Sequence, residues 1–121
     1  MNALVVDDSK AMRMILGNAL RELGLKVSEA GNGKEAIVRL NQGEQFDLML
    51  VDWNMPVMNG YELVCAVRAN PLLSDTKIMM VTTETSISQV QQALVAGANE
   101  YLMKPATKDM LIEKLALLGI S

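Results

Sequence analysis

The sequence predicts a doubly wound α/β domain, a five-stranded parallel sheet with helices on both faces. Three observations lead there. Short apolar runs alternate with longer segments of helical spacing along the whole chain. Three of the runs are continuously apolar, as strands buried on both faces are. The 121 residues, half of them hydrophobic, suit one domain, 1–121, with no linker, repeat or low-complexity tract.

The strands read as residues 3–6, 26–29, 48–51, 78–81 and 100–103; the second and fifth carry the weaker patterns. Five helical segments lie between and after them. Met12, Ile15, Leu16, Ala19, Leu20 and Leu23 form the first apolar stripe, closed by Gly24. Ala36, Ile37 and Leu40 form the second, ending near Gly43. Asn59 with Glu62 resembles a capping box that opens the third, which buries Leu63, Val64 and Val67 before Asn70-Pro71. Ser86 with Gln89 opens the fourth, with Ile87, Val90, Leu94 and Val95 inward and Gly97 at its end. Thr107 caps the fifth, which carries Leu111, Ile112, Leu115 and Leu118. Five strands fit the flavodoxin-like order 2-1-3-4-5 better than the six-stranded dinucleotide order, although the pattern alone does not fix it.

Composition excludes several functions. The chain has no histidine, which removes His-dependent triads and imidazole metal sites. Eleven basic against 14 acidic residues give a net charge of −3 without a Lys/Arg cluster, which argues against nucleic-acid binding. With only Phe46, Trp53, Tyr61 and Tyr101 aromatic, the core falls to Leu, Val, Ile, Ala and Met; Met12, Met14, Met79, Met80, Met103 and Met110 read as core filler. The single cysteine, Cys65, requires no oxidising compartment and reads as buried and inert. No run approaches the roughly 18 apolar residues of a membrane span, and the start is no signal peptide, so a cytoplasmic setting is expected.

In the predicted order, ligands bind where the winding reverses, beyond the C-terminal ends of strands 1 and 3. Those strands end in Asp7-Asp8 and Asp52; the fourth ends in Thr82-Thr83-Glu84 and the fifth in Lys104-Pro105. The polar groups with chemical potential thus share one rim. Two unit charges about 4 Å apart repel by roughly 4 kcal/mol at an effective dielectric near 20, so three acids there need a proton or a cation. With oxygen ligands only, that cation is hard: Mg²⁺, with Mn²⁺ or Ca²⁺ as substitutes, and Mg²⁺ commonly completes its shell with phosphate. Asp7-Asp8 can also serve as a helix cap, and Asp52 as a turn acid before Asn54-Met55-Pro56. Lys104 can reach toward the acids, and its bond to Pro105 is a cis candidate. Thr82 offers a hydroxyl beside Asp52, Asn54 a backbone carbonyl, and Trp53 a fluorescent reporter.

Residues 4–9 (Leu-Val-Val-Asp-Asp-Ser), 52–60 (Asp-Trp-Asn-Met-Pro-Val-Met-Asn-Gly), 81–84 (Val-Thr-Thr-Glu), 97–101 (Gly-Ala-Asn-Glu-Tyr) and 103–105 (Met-Lys-Pro) together resemble the receiver domain of two-component response regulators, most of all its stand-alone chemotaxis members. The likeness covers essentially the whole chain. It implies a phosphorylation-dependent switch in which Asp52 accepts a phosphoryl group from a histidine kinase or a histidine phosphotransfer protein. It further implies that Asp7, Asp8, Asp52 and the Asn54 carbonyl hold Mg²⁺, that Lys104 pairs with the phosphoryl oxygens, and that Thr82 and Tyr101 act as switch residues. Asn54 and Glu84 would tune dephosphorylation. The face of the fourth helix, fifth strand and fifth helix would bind a downstream protein. Two positions depart from the common pattern: Ala106 stands where Phe is frequent, which makes the surface near the fifth helix smaller, and Thr83 is larger than the usual small residue.

The rival reading is a Mg²⁺-dependent phosphatase with an aspartyl nucleophile, which would share the acids but needs a cap or substrate pocket. A flavodoxin-type binding module would need phosphate-cradling glycines where Asp7-Asp8-Ser9-Lys10 stands. No output domain is expected within residues 1–121, which suits a stand-alone regulator or one piece of a larger multidomain regulator.

Overall fold

In the computed structural model, which describes residues 1–83 and 86–120, each apolar run forms a strand and each helical pattern a helix. The chain runs β1 (Asn2–Val6), α1 (Lys10–Glu22), β2 (Lys26–Ala30), α2 (Gly33–Asn41), β3 (Leu48–Val51), α3 (Gly60–Arg68), a 3₁₀ turn (Pro71–Leu73), β4 (Lys77–Thr82), α4 (Ile87–Ala96), β5 (Glu100–Met103) and α5 (Lys108–Leu117). The sheet is parallel throughout, in the order β2-β1-β3-β4-β5.

Period-two alternation divides the core. Leu4, Val6, Met49, Val51, Ile78 and Met80 face a layer completed by α2, α3 and α4. Ala3, Val5, Leu48, Leu50, Met79 and Val81 face the layer completed by α1 and α5. Residues 3–6, 48–51 and 78–81 of the middle strands therefore form unbroken apolar runs, with Asn2, Lys77 and Thr82 at the strand ends. β2, at the sheet edge, has only Ala30 fully buried, which explains its weak pattern.

The caps follow local chemistry. The side chains of Ser9, Asn32, Asn59 and Thr107 accept from backbone N–H groups of α1, α2, α3 and α5, and Asn59 and Glu62 form the full capping box. Ser86 precedes α4 but makes no capping bond; its hydroxyl pairs with that of Ser88.

Several burial expectations are corrected. In α4 only Ala93 is buried, while Ile87, Leu94 and Val95 are exposed at 76%, 44% and 89%. The helix touches the domain through a small residue, so its larger apolar groups stay outside. Ile15 and Ile112 are likewise exposed, as are Met14 and Met103 among the supposed core methionines. Cys65 is exposed because Leu63, Val64 and Val67 define the inward stripe of α3 and residue 65 points elsewhere.

Two backbone features shape the loop after β3. A Cβ at Gly60 would overlap the carbonyl oxygen of Asp52, so α3 can start this close only with glycine. Gly60→Ala is expected to cost about 2–4 kcal/mol in urea unfolding. Val57 has φ 69° at the centre of a γ-turn closed by Met58 N–H donating to the Pro56 carbonyl at 2.7 Å. A β-branched residue is disfavoured there, and Val57→Asn is expected to raise stability by about 1 kcal/mol, read as a higher urea midpoint.

Candidate functional site: an acidic bowl closed by one lysine

β1 and β3 are neighbours, so the residues that leave their C-terminal ends emerge side by side. Asp7 follows β1 and Asp52 follows β3; both are buried, at 1% and 6% exposure. Asp8 stands beside them, exposed, and one carboxylate oxygen from each of the three lies within 4.8 Å of the others. The cap of α1 is Ser9 rather than either acid, and Asp7 Oδ1 instead accepts the Ser9 N–H at 2.9 Å. That division of labour leaves the carboxylates on the rim.

Lys104 closes the bowl from the end of β5. Its Nζ donates to Asp7 Oδ2 at 2.8 Å and to Asp52 Oδ2 at 3.1 Å, with 13% of the side chain exposed. The peptide bond to Pro105 is cis. Burial by itself would lower the Lys104 pKa, but the Asp7 hydrogen bond and the two carboxylate charges outweigh it and hold it above the ordinary lysine value. The sign follows: a raised folded pKa means stability present below about pH 10.4 and lost as pH climbs through the folded value. The stability gap between wild type and Lys104→Met should accordingly narrow above that pH in urea titrations.

Charge arithmetic tests the fit to a metal. Three carboxylates against one ammonium leave two formal negative charges, which one divalent cation balances. The donors are all oxygen and one acid is open to solvent, as a hard cation that keeps waters requires. Asp7, Asp8 and Asp52 thus form a cluster suited to a divalent ion.

The other expected residues are placed as follows. Asn54 is exposed, and its N–H donates to Asp52 Oδ1 at 3.4 Å. Thr82 is fully buried at the end of β4, its carbonyl accepting the Lys104 N–H. Tyr101 is half-buried in β5, aligned with Met80, and packs on the α2–α4 side of the core. Glu84 lies outside the described residues. Trp53 is buried and stacks on Tyr61 at 5.6 Å between ring centroids. The sequence reading overlooked Arg13, which donates to the Asp7 carbonyl, and no local pattern marks such a contact.

A doubly wound sheet with this order, acids at its switch point and a lysine from β5 defines a receiver-type signalling domain. The chain belongs to the response regulator receiver domain family, whose profile matches residues 3–116. More particularly, it is 49% identical over 116 residues to a chemotaxis protein CheY homolog of Campylobacter jejuni, covering 95% of this chain and 89% of that protein. It is 46% identical to the chemotaxis protein CheY1 of Helicobacter pylori, covering 95% and 94%. Among solved structures, chemotaxis response regulator CheY4 of Vibrio cholerae superposes with a TM-score of 0.89 at 38% identity, covering 97% of each chain. The family is one of phosphorylation-dependent switches in two-component signalling, and the phosphatase reading is not favoured. No helix among the described residues is long and apolar enough to cross a membrane.

Proposed function

We propose that Asp52 is the phosphoacceptor of a chemotaxis-type response regulator and takes its phosphoryl group from the phosphohistidine of a kinase or phosphotransfer protein. The observation behind this is the convergence on one rim of Asp7, Asp52 and Lys104, the first and last of them 97 residues apart along the chain. A carboxylate oxygen of Asp52 attacks phosphorus, the P–N bond to the donor imidazole breaks, and the electron pair leaves with that nitrogen, which takes up a proton. No general base is needed, so a chain without histidine suffices. Such transfer depends on positioning and charge neutralisation. Asp7, Asp8, Asp52 and the Asn54 carbonyl would hold Mg²⁺, with Mn²⁺ as substitute, which when bound supplies positive charge to the phosphoryl oxygens. Lys104 would exchange part of its carboxylate pairing for the phosphoryl group.

The added charge acts at the rim where Thr82 and Lys104 stand. Thr82 moves toward the phosphoryl group and Tyr101 turns inward behind it. Ile87, Leu94, Met103 and Ile112, among the exposed apolar groups of α4, β5 and α5, then present a changed surface to a downstream protein. A shift from 1:99 to 99:1 would need about 5.5 kcal/mol of differential stabilisation; a partial shift needs less. The side chains of Asn54 and Glu84 tune the return step. As a switch rather than a turnover enzyme, the protein holds one phosphoryl group per molecule.

The test is transfer from a radiolabelled, histidine-phosphorylated phosphotransfer domain with Mg²⁺. Alkali-labile, hydroxylamine-sensitive label on this chain approaching one equivalent supports the reading. Repeated turnover of p-nitrophenyl phosphate with no retained label would contradict it.

A further inference from the structure

Asp7 is fixed at every polar atom. Its N–H donates to the Ala30 carbonyl at 3.2 Å, Oδ1 accepts from Ser9, Oδ2 accepts from Lys104, and its carbonyl accepts from Arg13 Nη1 at 2.7 Å. Asp8, by contrast, has no hydrogen bond or ion pair holding its carboxylate among the described residues, and it is exposed. What sets the position of Asp8 is therefore its backbone. The peptide group that joins it to Asp7 carries the carbonyl gripped by Arg13.

Arg13 is well placed to grip. It lies one turn into α1, 18% exposed, and its Nε donates to Glu29 Oε1 at 3.1 Å. Glu29 lies in β2, aligned with Val5 of β1. One guanidinium thus ties α1, the corner after β1 and the edge strand together. The carboxylate of Glu29 offsets its charge, so the brace sits beside the acids without presenting a bare cation to whatever they bind.

We propose that Arg13 is a positioning residue for the divalent cation: by holding the Asp7 carbonyl it fixes the Asp7–Asp8 corner and pre-sets Asp8 as a ligand. This deepens the reading of the acidic cluster as the metal site and rests on it. Positioning and charge make opposite predictions. If Arg13 acted on the acids only as a nearby positive charge, its removal would tighten divalent binding. As a brace, its removal loosens binding, because Asp8 must then be ordered at the moment of coordination.

The measurement is Mg²⁺ titration of Trp53 fluorescence, with Mn²⁺ as a second probe, in wild type, Arg13→Gln, Arg13→Lys and Glu29→Gln, each checked for folding by circular dichroism. Arg13→Gln is expected to raise the dissociation constant roughly tenfold. Arg13→Lys, which keeps one donor for the carbonyl, should recover part of that loss, and Glu29→Gln should show a smaller rise. In labelling by acetyl phosphate, Arg13→Gln should raise the Mg²⁺ concentration for half-maximal rate more than it lowers the maximal rate, a split that general loosening of the fold would not produce. Equal or tighter Mg²⁺ binding by folded Arg13→Gln overturns the proposal while leaving the metal site intact. Failure of the wild type to bind Mg²⁺ or Mn²⁺ overturns the site reading and this one with it. Should Arg13→Gln not fold, the comparison of Arg13→Lys with wild type decides: unchanged affinity and unchanged Mg²⁺ dependence refute the brace.

Discussion

Asp52→Asn should reduce covalent labelling by acetyl phosphate with Mg²⁺ to background, while the fold persists. The amide keeps the shape of the side chain but not the nucleophilic oxygen or its charge. Stability should hold or rise by about 1 kcal/mol, because the substitution leaves Lys104 its 2.8 Å pair with Asp7 and relieves repulsion between neighbouring acids. Intact-mass spectrometry reads the first effect and urea unfolding the second. Undiminished labelling in Asp52→Asn would move the acceptor elsewhere.

A second large effect concerns Lys104. Lys104→Met leaves Asp7 and Asp52 buried without their shared cation, and removing one partner of a buried ion pair costs several kcal/mol. A loss of about 3 kcal/mol is expected in urea unfolding with EDTA, a sizeable share of the 5–15 kcal/mol typical of a domain. Millimolar Mg²⁺ should restore much of it by placing another positive charge among the same oxygens. Combining Lys104→Met with Asp52→Asn should also recover stability, since one of the two stranded charges is then gone. Equal stability of wild type and Lys104→Met in EDTA would show that the two carboxylates do not need the ammonium.

Much of this was legible along the chain because the sheet writes itself into the sequence. Residues 48–51 and 100–103 are strands at the expected bounds, and β1, β2 and β4 extend one or two residues further into Asn2, Ala30, Lys77 and Thr82. A ladder bonds backbone to backbone, so a polar side chain at a strand end does not stop it. Strand number favoured the observed order without fixing it, and that order makes the rim that gathers Asp7, Asp8, Asp52 and Lys104. Helix faces were less legible. Ile87, Leu94 and Val95 have core-like spacing, yet α4 packs through Ala93, because periodicity shows which residues share a face and not what that face meets.

Contacts made by long polar side chains to distant backbone left no trace at all. Arg13 reaches the Asp7 carbonyl, and Arg68 donates to the carbonyls of Gly97, Leu73 and Thr76. Neither carbonyl acceptor nor side-chain direction is encoded by a residue type. The positive φ of Val57 was equally hidden, since valine is among the last residues such a turn would suggest.

Reductive trapping tests the central claim most directly. The protein is labelled with acetyl phosphate and Mg²⁺, treated with borohydride to convert an aspartyl phosphate to homoserine, and mapped by peptide mass spectrometry. Homoserine at position 52, absent when EDTA replaces Mg²⁺, is the predicted result. Homoserine at another aspartate, or label at 52 that forms equally well in EDTA, would contradict an Asp52 acceptor served by a divalent cation.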